Sequence, residues 1–270
     1  MRQSRPSRQR SPLLSVIAVL VTAPIFALPP AVSAMEQSAG WPFVVSWGNV
    51  TLAEGTFRVA DGPEQYSVLA TGETRGPLNF LFSWKGRLEA TGARTDAGRQ
   101  PDRYERVAET TSGARRVQLD WEQGRFANAV VEPRPDLAEV TAVDPEQIRG
   151  VVDPLSFFAG VLDRASESGG ADCATTGRLW DGERLSEIRV ETLGQSTVES
   201  DRPWDYEGRT LSCRLFFKQL GGFQRENRWR SPEAETMRIL HLAQVEGRWA
   251  PVRLELASPL GRVVGRLRVR

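Results

Sequence analysis

The chain has 270 residues, with 33 Arg, 2 Lys, 34 acidic residues, a single His and two Cys. One His excludes sites built on two or three histidines, and two Cys cannot form a four-thiolate zinc or iron–sulfur centre, so no cofactor is expected. A net charge of +1 offers nucleic acid no electrostatic footprint.

The N-terminus carries Arg2, Arg5, Arg8 and Arg10 with no acid, then an apolar stretch from Leu13 to Leu28. Pro29 and Pro30 follow, and Val32-Ser33-Ala34 supplies the small residues that signal peptidase reads. Residues 1–34 are therefore read as a cleavable export signal, cut after Ala34. The alternative, a membrane anchor, is opposed by the shortness of the run and by its prolines. Removing the four Arg leaves 31 basic residues against 34 acidic ones, a net charge near −3, on a mature chain of 236 residues. Residues 35–270 are expected to form one β-rich domain that is periplasmic and has no membrane span after cleavage. Cys173 and Cys213 are then exposed to an oxidising compartment, and a structural disulfide is expected rather than two reduced core thiols.

The mature chain alternates apolar and polar residues between turn signals, the pattern of antiparallel strands. Phe43, Val45 and Trp47 share a face before Gly48-Asn49, residues 51–59 run to Asp61-Gly62, and Tyr66, Val68 and Ala70 follow. Weaker strands at 84–91 and 104–111 flank a polar loop at 92–102. Val117, Leu119 and Trp121 oppose Arg116, Gln118 and Asp120. In the second half Asp181-Gly182 is a hairpin dipeptide that returns into Ile188 and Val190. Residues 195–205 read as an exposed loop. Met237, Ile239, His241, Ala243 and Val245 share one parity, and Val252, Leu254 and Leu256 alternate after Glu246-Gly247. Near the end Val263, Leu267 and Val269 oppose Arg262, Arg266, Arg268 and Arg270, read as a solvated face or edge protection.

One helix interrupts the strands. Asp153 is the expected N-cap and Pro154 the first helical residue, because the cap oxygen satisfies free N–H groups and proline has none to lose. Leu155, Phe158, Ala159 and Leu162 fall on one face, widened by Phe157 and Val161, and Ser166–Gly170 ends it. So apolar a helix is expected to lie buried across the concave side of the sheet. The connector 132–150 reads as a long crossing within one domain.

Several ordered segments carry a resemblance. These are Trp47-Gly48-Asn49 through Gly55-Thr56-Phe57, the aromatic run Pro77–Trp84, the helix start Val152–Ser156 and the hairpin Gly177–Gly182. Cys213–Phe217, Gly221-Gly222-Phe223 and the late strand at Pro251-Val252-Arg253 complete the set. In this order the chain resembles an uncharacterised family of exported bacterial proteins, domain of unknown function family 3108, over most of 40–270. The resemblance implies an exported location and a curved antiparallel sheet or half-barrel, similar to periplasmic lipoprotein-carrier folds. It implies no activity and transfers no functional residue.

For chemistry the sequence is spare. No Gly-x-Ser-x-Gly elbow or phosphate-cradling glycine loop is present. His241 in a strand reads as a sheet residue before it reads as a base, and Asp153 as a cap before an acid. The aromatic runs read either as packed core or as the lining of a cavity for an acyl chain. The candidate lining is Phe80, Phe82 and Trp84, in apparent strand phase, with Phe157 and Phe158 on the helix and Phe216 in the later half. The leading expectation is a non-enzymatic envelope protein that binds a lipid or another apolar small molecule. The alternatives are a module that docks on an envelope protein, and a hydrolase of envelope polymers with two carboxylates across a groove.

Overall fold

The computed structural model describes residues 37–225, 237–258 and 261–269; the expected export segment 1–34, with its cleavage site at Ala34, lies outside the described residues. Seven strands come first: β1 (Gln37–Trp47), β2 (Val50–Asp61), β3 (Gln65–Thr74), β4 (Trp84–Thr95), β5 (Gly98–Thr110), β6 (Gly113–Glu122) and β7 (Arg125–Glu132). A short helix, α1 (Leu78–Leu81), lies between β3 and β4, and a longer one, α2 (Pro154–Glu167), follows β7. Six more strands complete the described chain: β8 (Thr175–Trp180), β9 (Leu185–Val198), β10 (Gly208–Gly221), β11 (Arg238–Val245), β12 (Arg248–Ser258) and β13 (Gly261–Leu267).

All thirteen strands join one antiparallel sheet in the order β7-β6-β5-β4-β3-β2-β1-β13-β12-β11-β10-β9-β8. It is two meanders sewn together where β1 pairs with β13, Phe43 opposite Leu267 and Trp47 opposite Val263. The edges are therefore β7 and β8, neighbours in the strand sequence but at opposite ends of the sheet. The sheet is open but curled. The β8–β9 turn reaches the inner face of β6, so that a Cβ on Gly182 would come within 2.3 Å of Val117 Cγ1.

The chain crosses from one edge to the other by way of α2. Asp153 Oδ1 accepts the Ser156 N–H at 2.9 Å, and Pro154 occupies the first turn. Gly169 and Gly170, both with positive φ, stop the helix, and the Gly170 N–H returns to the Ala165 carbonyl at 2.7 Å. Leu155, Phe157, Ala159, Val161, Leu162 and Ala165 are buried and touch both meanders, chiefly β3, β4 and β5 on one side and β8 and β12 on the other. Each large apolar side chain so buried contributes roughly 1.5–3 kcal/mol. Around them Val68, Ala90, Tyr104 and Leu119 close the core from one meander, and Leu185, Ile188, Leu211 and Leu242 from the other.

Several expectations need correction. The polar loop 92–102 shrinks to a tight turn, because β4 and β5 pair out to Thr95 and Gly98. The run from Phe80 to Trp84 is not one strand: α1 occupies residues 78–81 and β4 starts at Trp84. Leu240 and Leu242, not Ile239 and His241, point inward on β11, and a register shift after His241 restores Ala243 to the core side. The loop at 195–205 is not simply exposed: β9 continues to Val198, and Asp205 is buried. Finally β13 is an interior strand, and its Arg266 is 5% exposed rather than solvated.

Cys173, just before β8, is bonded to Cys213 on β10, with Cα atoms 6.4 Å apart. The bridge closes a loop of 40 residues, which in the chain-entropy account stabilises the fold by roughly 4 kcal/mol. Replacing both cysteines with alanine is expected to lower stability by about that amount, read as a fall in the urea midpoint at unchanged slope.

Candidate functional site

The β1–β2, β5–β6 and β8–β9 turns and α1 gather at one end of the curled sheet, and there a cleft of about 1110 Å³ opens on its inner side. Strand alternation selects its walls. Trp84, Arg106, Ala108 and Thr110 share the parity of Ala90 and Tyr104, which face the core further along the same strands. Trp180, at the end of β8, forms the opposite wall. Leu137, Val140 and Val143 close the side from the segment that follows β7. That segment is held by backbone bonds to the chain after β10, including Thr141 N–H to the Phe223 carbonyl at 2.8 Å.

Trp84 shapes the cleft because its indole rests on glycine. A Cβ on Gly86 would meet the ring at 2.3 Å, so any side chain there would lift the indole off the sheet. Its backbone N–H donates to the Thr74 hydroxyl at 2.9 Å, and that hydroxyl donates to Asn79 Oδ1 in α1 at 3.0 Å. The charged part of the wall is a small cluster. Arg106 bonds Glu183 and lies 3.4 Å from Asp181, and Arg115 reaches the other oxygen of Glu183. Asp181 also accepts the N–H groups of Glu183 and Arg184, at 2.9 and 2.7 Å, which fixes the turn. Two buried donors in this wall, Arg106 Nε and Trp180 Nε1, have no hydrogen-bond partner. Each such orphan costs on the order of 1–3 kcal/mol.

The six candidate lining residues do not converge. Phe82 and Trp84 line the cleft. Phe80 is 93% exposed on α1 and lines nothing. Phe157 is buried in the core, with Phe158 edge-on to it at 5.7 Å. Phe216 lies on the outer face, under the Arg189 guanidinium at 4.5 Å, because Leu215 and Phe217 take the inward positions of β10. The residues that complete the cleft, Arg106, Ala108, Trp180 and the apolar side chains of 137–143, carried no signal within any one strand. Only the Asp181-Gly182 turn marked the place.

The remaining polar clusters tie elements together. Ser212 Oγ lies 2.9 Å from His241 Nδ1 and 2.6 Å from Ser196 Oγ on the outer face. Burial lowers the His241 pKa, opposed by Glu255 and aided by Arg253. Ser212 is 5% exposed, so this Ser–His pair presents no nucleophile to solvent. Arg266 forks onto Asp201 at 2.6 and 3.0 Å, bonds Ser46 at 2.6 Å and lies 3.2 Å from Asp205. Burial and the neighbouring Asp201 carboxyl push the Asp205 carboxyl up, whereas Asp201, despite its own desolvation, is held down by Asp205 and Arg266. These two carboxylates clamp one guanidinium rather than face each other across a groove. Inside, Arg99 forks onto Asp163 at 2.6 and 2.8 Å, bonds Asp61 at 2.8 Å and stacks on Tyr66. The Tyr66 hydroxyl lies 2.7 Å from that of Ser156 on α2. Among the described residues no group of three His, Cys, Asp or Glu side chains is placed to hold a metal ion.

Fold and site together define a curled, open antiparallel β protein with a helix on its inner side and an amphipathic cleft at one end. The chain belongs to the family described as "Protein of unknown function (DUF3108)", whose family model matches residues 42–268. No curated protein matches it. Among solved structures it is similar to a beta-barrel-like protein of domain of unknown function DUF1849 from Brucella abortus, at 10% identity and a TM-score of 0.44, over 85% of this chain and 94% of that one. It is also similar to a DUF1329 family protein from Desulfovibrio piger ATCC 29098, at 10% identity and a TM-score of 0.22, over 85% and 82% of the two chains.

Asp153 generates a pH test. It is fully buried, and burial, only partly offset by hydrogen bonds from Ser156 and the backbone, pushes its carboxyl up to about 6 from 3.8. Between those values the folded chain binds a proton that the unfolded chain has lost, so this group's contribution to stability falls as pH rises through the window. Asp153→Asn keeps a capping oxygen and removes the titration. The stability difference, wild type minus variant, is expected to be larger at pH 4 than at pH 6.5 by about 2 kcal/mol; a pH-independent difference in urea titrations sinks this reading.

Proposed function

We propose that the chain is an exported, periplasmic cell-envelope protein that holds a lipid or another apolar ligand, without catalysis, in the cleft at the open end of its sheet. The observation that carries this is the wall itself: Phe82, Trp84, Leu137, Val140, Val143 and Trp180 around about 1110 Å³. That volume lies just above the usual range of clefts that take small-molecule ligands, which are mainly apolar with a few placed polar groups. Thr110, Arg106 and Arg115 are among the hydrogen-bond donors that this wall offers a ligand's acceptor end. The basic, apolar and small-residue order of 1–34 and the Cys173–Cys213 bridge support residence outside the cytoplasm. The curl around α2 supports likeness to a half-barrel carrier, with the helix filling one end and the ligand the other.

The test is native mass spectrometry of protein purified from its own periplasm. Wild type is expected to retain adducts of lipid mass. Ala108→Trp, which fills the cleft from an inward strand position, is expected to retain several-fold less. Phe216→Ala, on the outer face, is expected to retain as much as wild type. Wild type that arrives ligand-free, and takes up neither a fatty acid nor an apolar fluorescent probe, overturns the reading.

A further inference from the structure

Ten large apolar side chains are substantially exposed among the described residues, and they are not spread evenly. Six of them, Trp47, Val50, Phe80, Phe82, Leu137 and Met237, sit on turns, connections and strand ends at the end where the cleft opens. The start of β2 runs beside the chain that leads into α1: the Arg75 N–H bonds the Leu52 carbonyl, and a Cβ on Gly76 would come 2.8 Å from the Thr51 carbonyl oxygen. At the opposite end, beyond the β2–β3, β4–β5 and β11–β12 turns, the core is closed by α2.

Phe82 and Leu137 belong to both surfaces. They line the cleft and are also 47% and 75% exposed, so an apolar track runs from the cleft wall to the outside, with Phe80, at 93% exposed, beside it on α1. Scattered exposed apolar residues are ordinary, whereas a set gathered at one end around a cleft mouth marks an interaction surface. Aromatic side chains at the tips of connections suit the interfacial zone of a bilayer, where amphipathic rings settle at the headgroup level. Charges near this end have both signs, as in the Arg75–Glu73 and Arg115–Glu183 pairs. Insertion of apolar side chains, not attraction to anionic headgroups, is therefore the force available.

We infer that this end of the molecule docks on a lipid bilayer, with Phe80, Phe82 and Leu137 inserted at the interface and the cleft mouth facing the membrane. The choice of a bilayer as the occupant rests on the proposed function, because a ligand of that class is stored in membranes.

The experiment is co-flotation of the exported protein, as purified, with phosphatidylcholine vesicles in low and in 0.5 M salt, about where screening becomes strong. Wild type is expected to float at both salt concentrations. The double substitution Phe80→Ser with Leu137→Ser alters two exposed side chains and is expected to weaken partition about tenfold or more. Leu193→Ser, at the other end, is expected to leave flotation unchanged. Flotation that the double variant does not reduce, or that salt abolishes, overturns the inference. So does a wild type that stays in solution as a dimer which the double variant dissolves. Native mass spectra of the same samples keep the two readings apart. Ligand retained by a wild type that does not float overturns docking alone. A wild type that floats but carries no ligand upholds docking and overturns the ligand reading.

Discussion

The constraint on which the fold depends is the passage of the chain from one edge of the sheet to the other across its inner side. The first meander ends at β7 and the second begins at β8, and the sheet order places those strands at opposite edges of a thirteen-stranded sheet. The connection runs along the inner side, and the sheet curls around the helix it carries. The curl in turn creates an apolar concavity that must be filled. The buried face of α2 fills part of it, touching strands of both meanders at once. Removing that face would leave β3–β5 on one side and β8 and β12 on the other without a common partner, so helix and curl stand or fall together.

Around that packing the protein uses arginine as an internal strut. Arg99, Arg106 and Arg266 are each largely withdrawn from water, and each is met by two carboxylates. A guanidinium suits this because its planar fork answers two carboxylate geometries at once and it stays charged when desolvated. Taking either partner away leaves a buried charge, which is costly even where the intact pair adds little net stability. Arg99 ties α2 to β2, Arg106 ties β5 to the β8–β9 turn, and Arg266 straps the 199–206 segment over β13 and β1.

What could be read from the sequence was local, and what could not be was relational. The N-cap Asp153 with Pro154, the Asp181-Gly182 turn and most strands follow from chemistry within a few residues, and each has its place in the structure. Period-two alternation loses its meaning wherever the register shifts, as after His241, so His241 and Ala243 share a parity in the sequence but not a face of the sheet. Alternation also cannot distinguish Phe80 and Phe82 from a strand when a single helical turn intervenes. Arg262, Arg266 and Arg268 look alike in the chain, but only Arg266 sits under a segment some sixty residues away that brings two carboxylates to it. The cleft is relational throughout: its lining is shared among four strands, the turns beside them, the connector after β7 and the chain after β10.

The division of the inner side into a packed end and an open end follows from the sizes of its parts. A helix of 14 residues is about 21 Å long and about 10 Å across. The strands it lies against run to 13 residues, or about 43 Å of extended chain. However α2 is laid, it spans no more than about half of that length. Its contacts lie toward the end marked by Tyr66, Arg99 and Trp249, as the bonds from Ser156 and Asp163 and the closeness of Gly170 to the Trp249 ring show. Beyond its reach the same inward positions continue along β4 and β5 with nothing above them but Trp84, Arg106 and the neighbouring turn. A longer helix would have closed that space. A helix of this length leaves an inner wall of aromatic rings and an exposed apolar rim above which no further element packs, and the cleft is what remains.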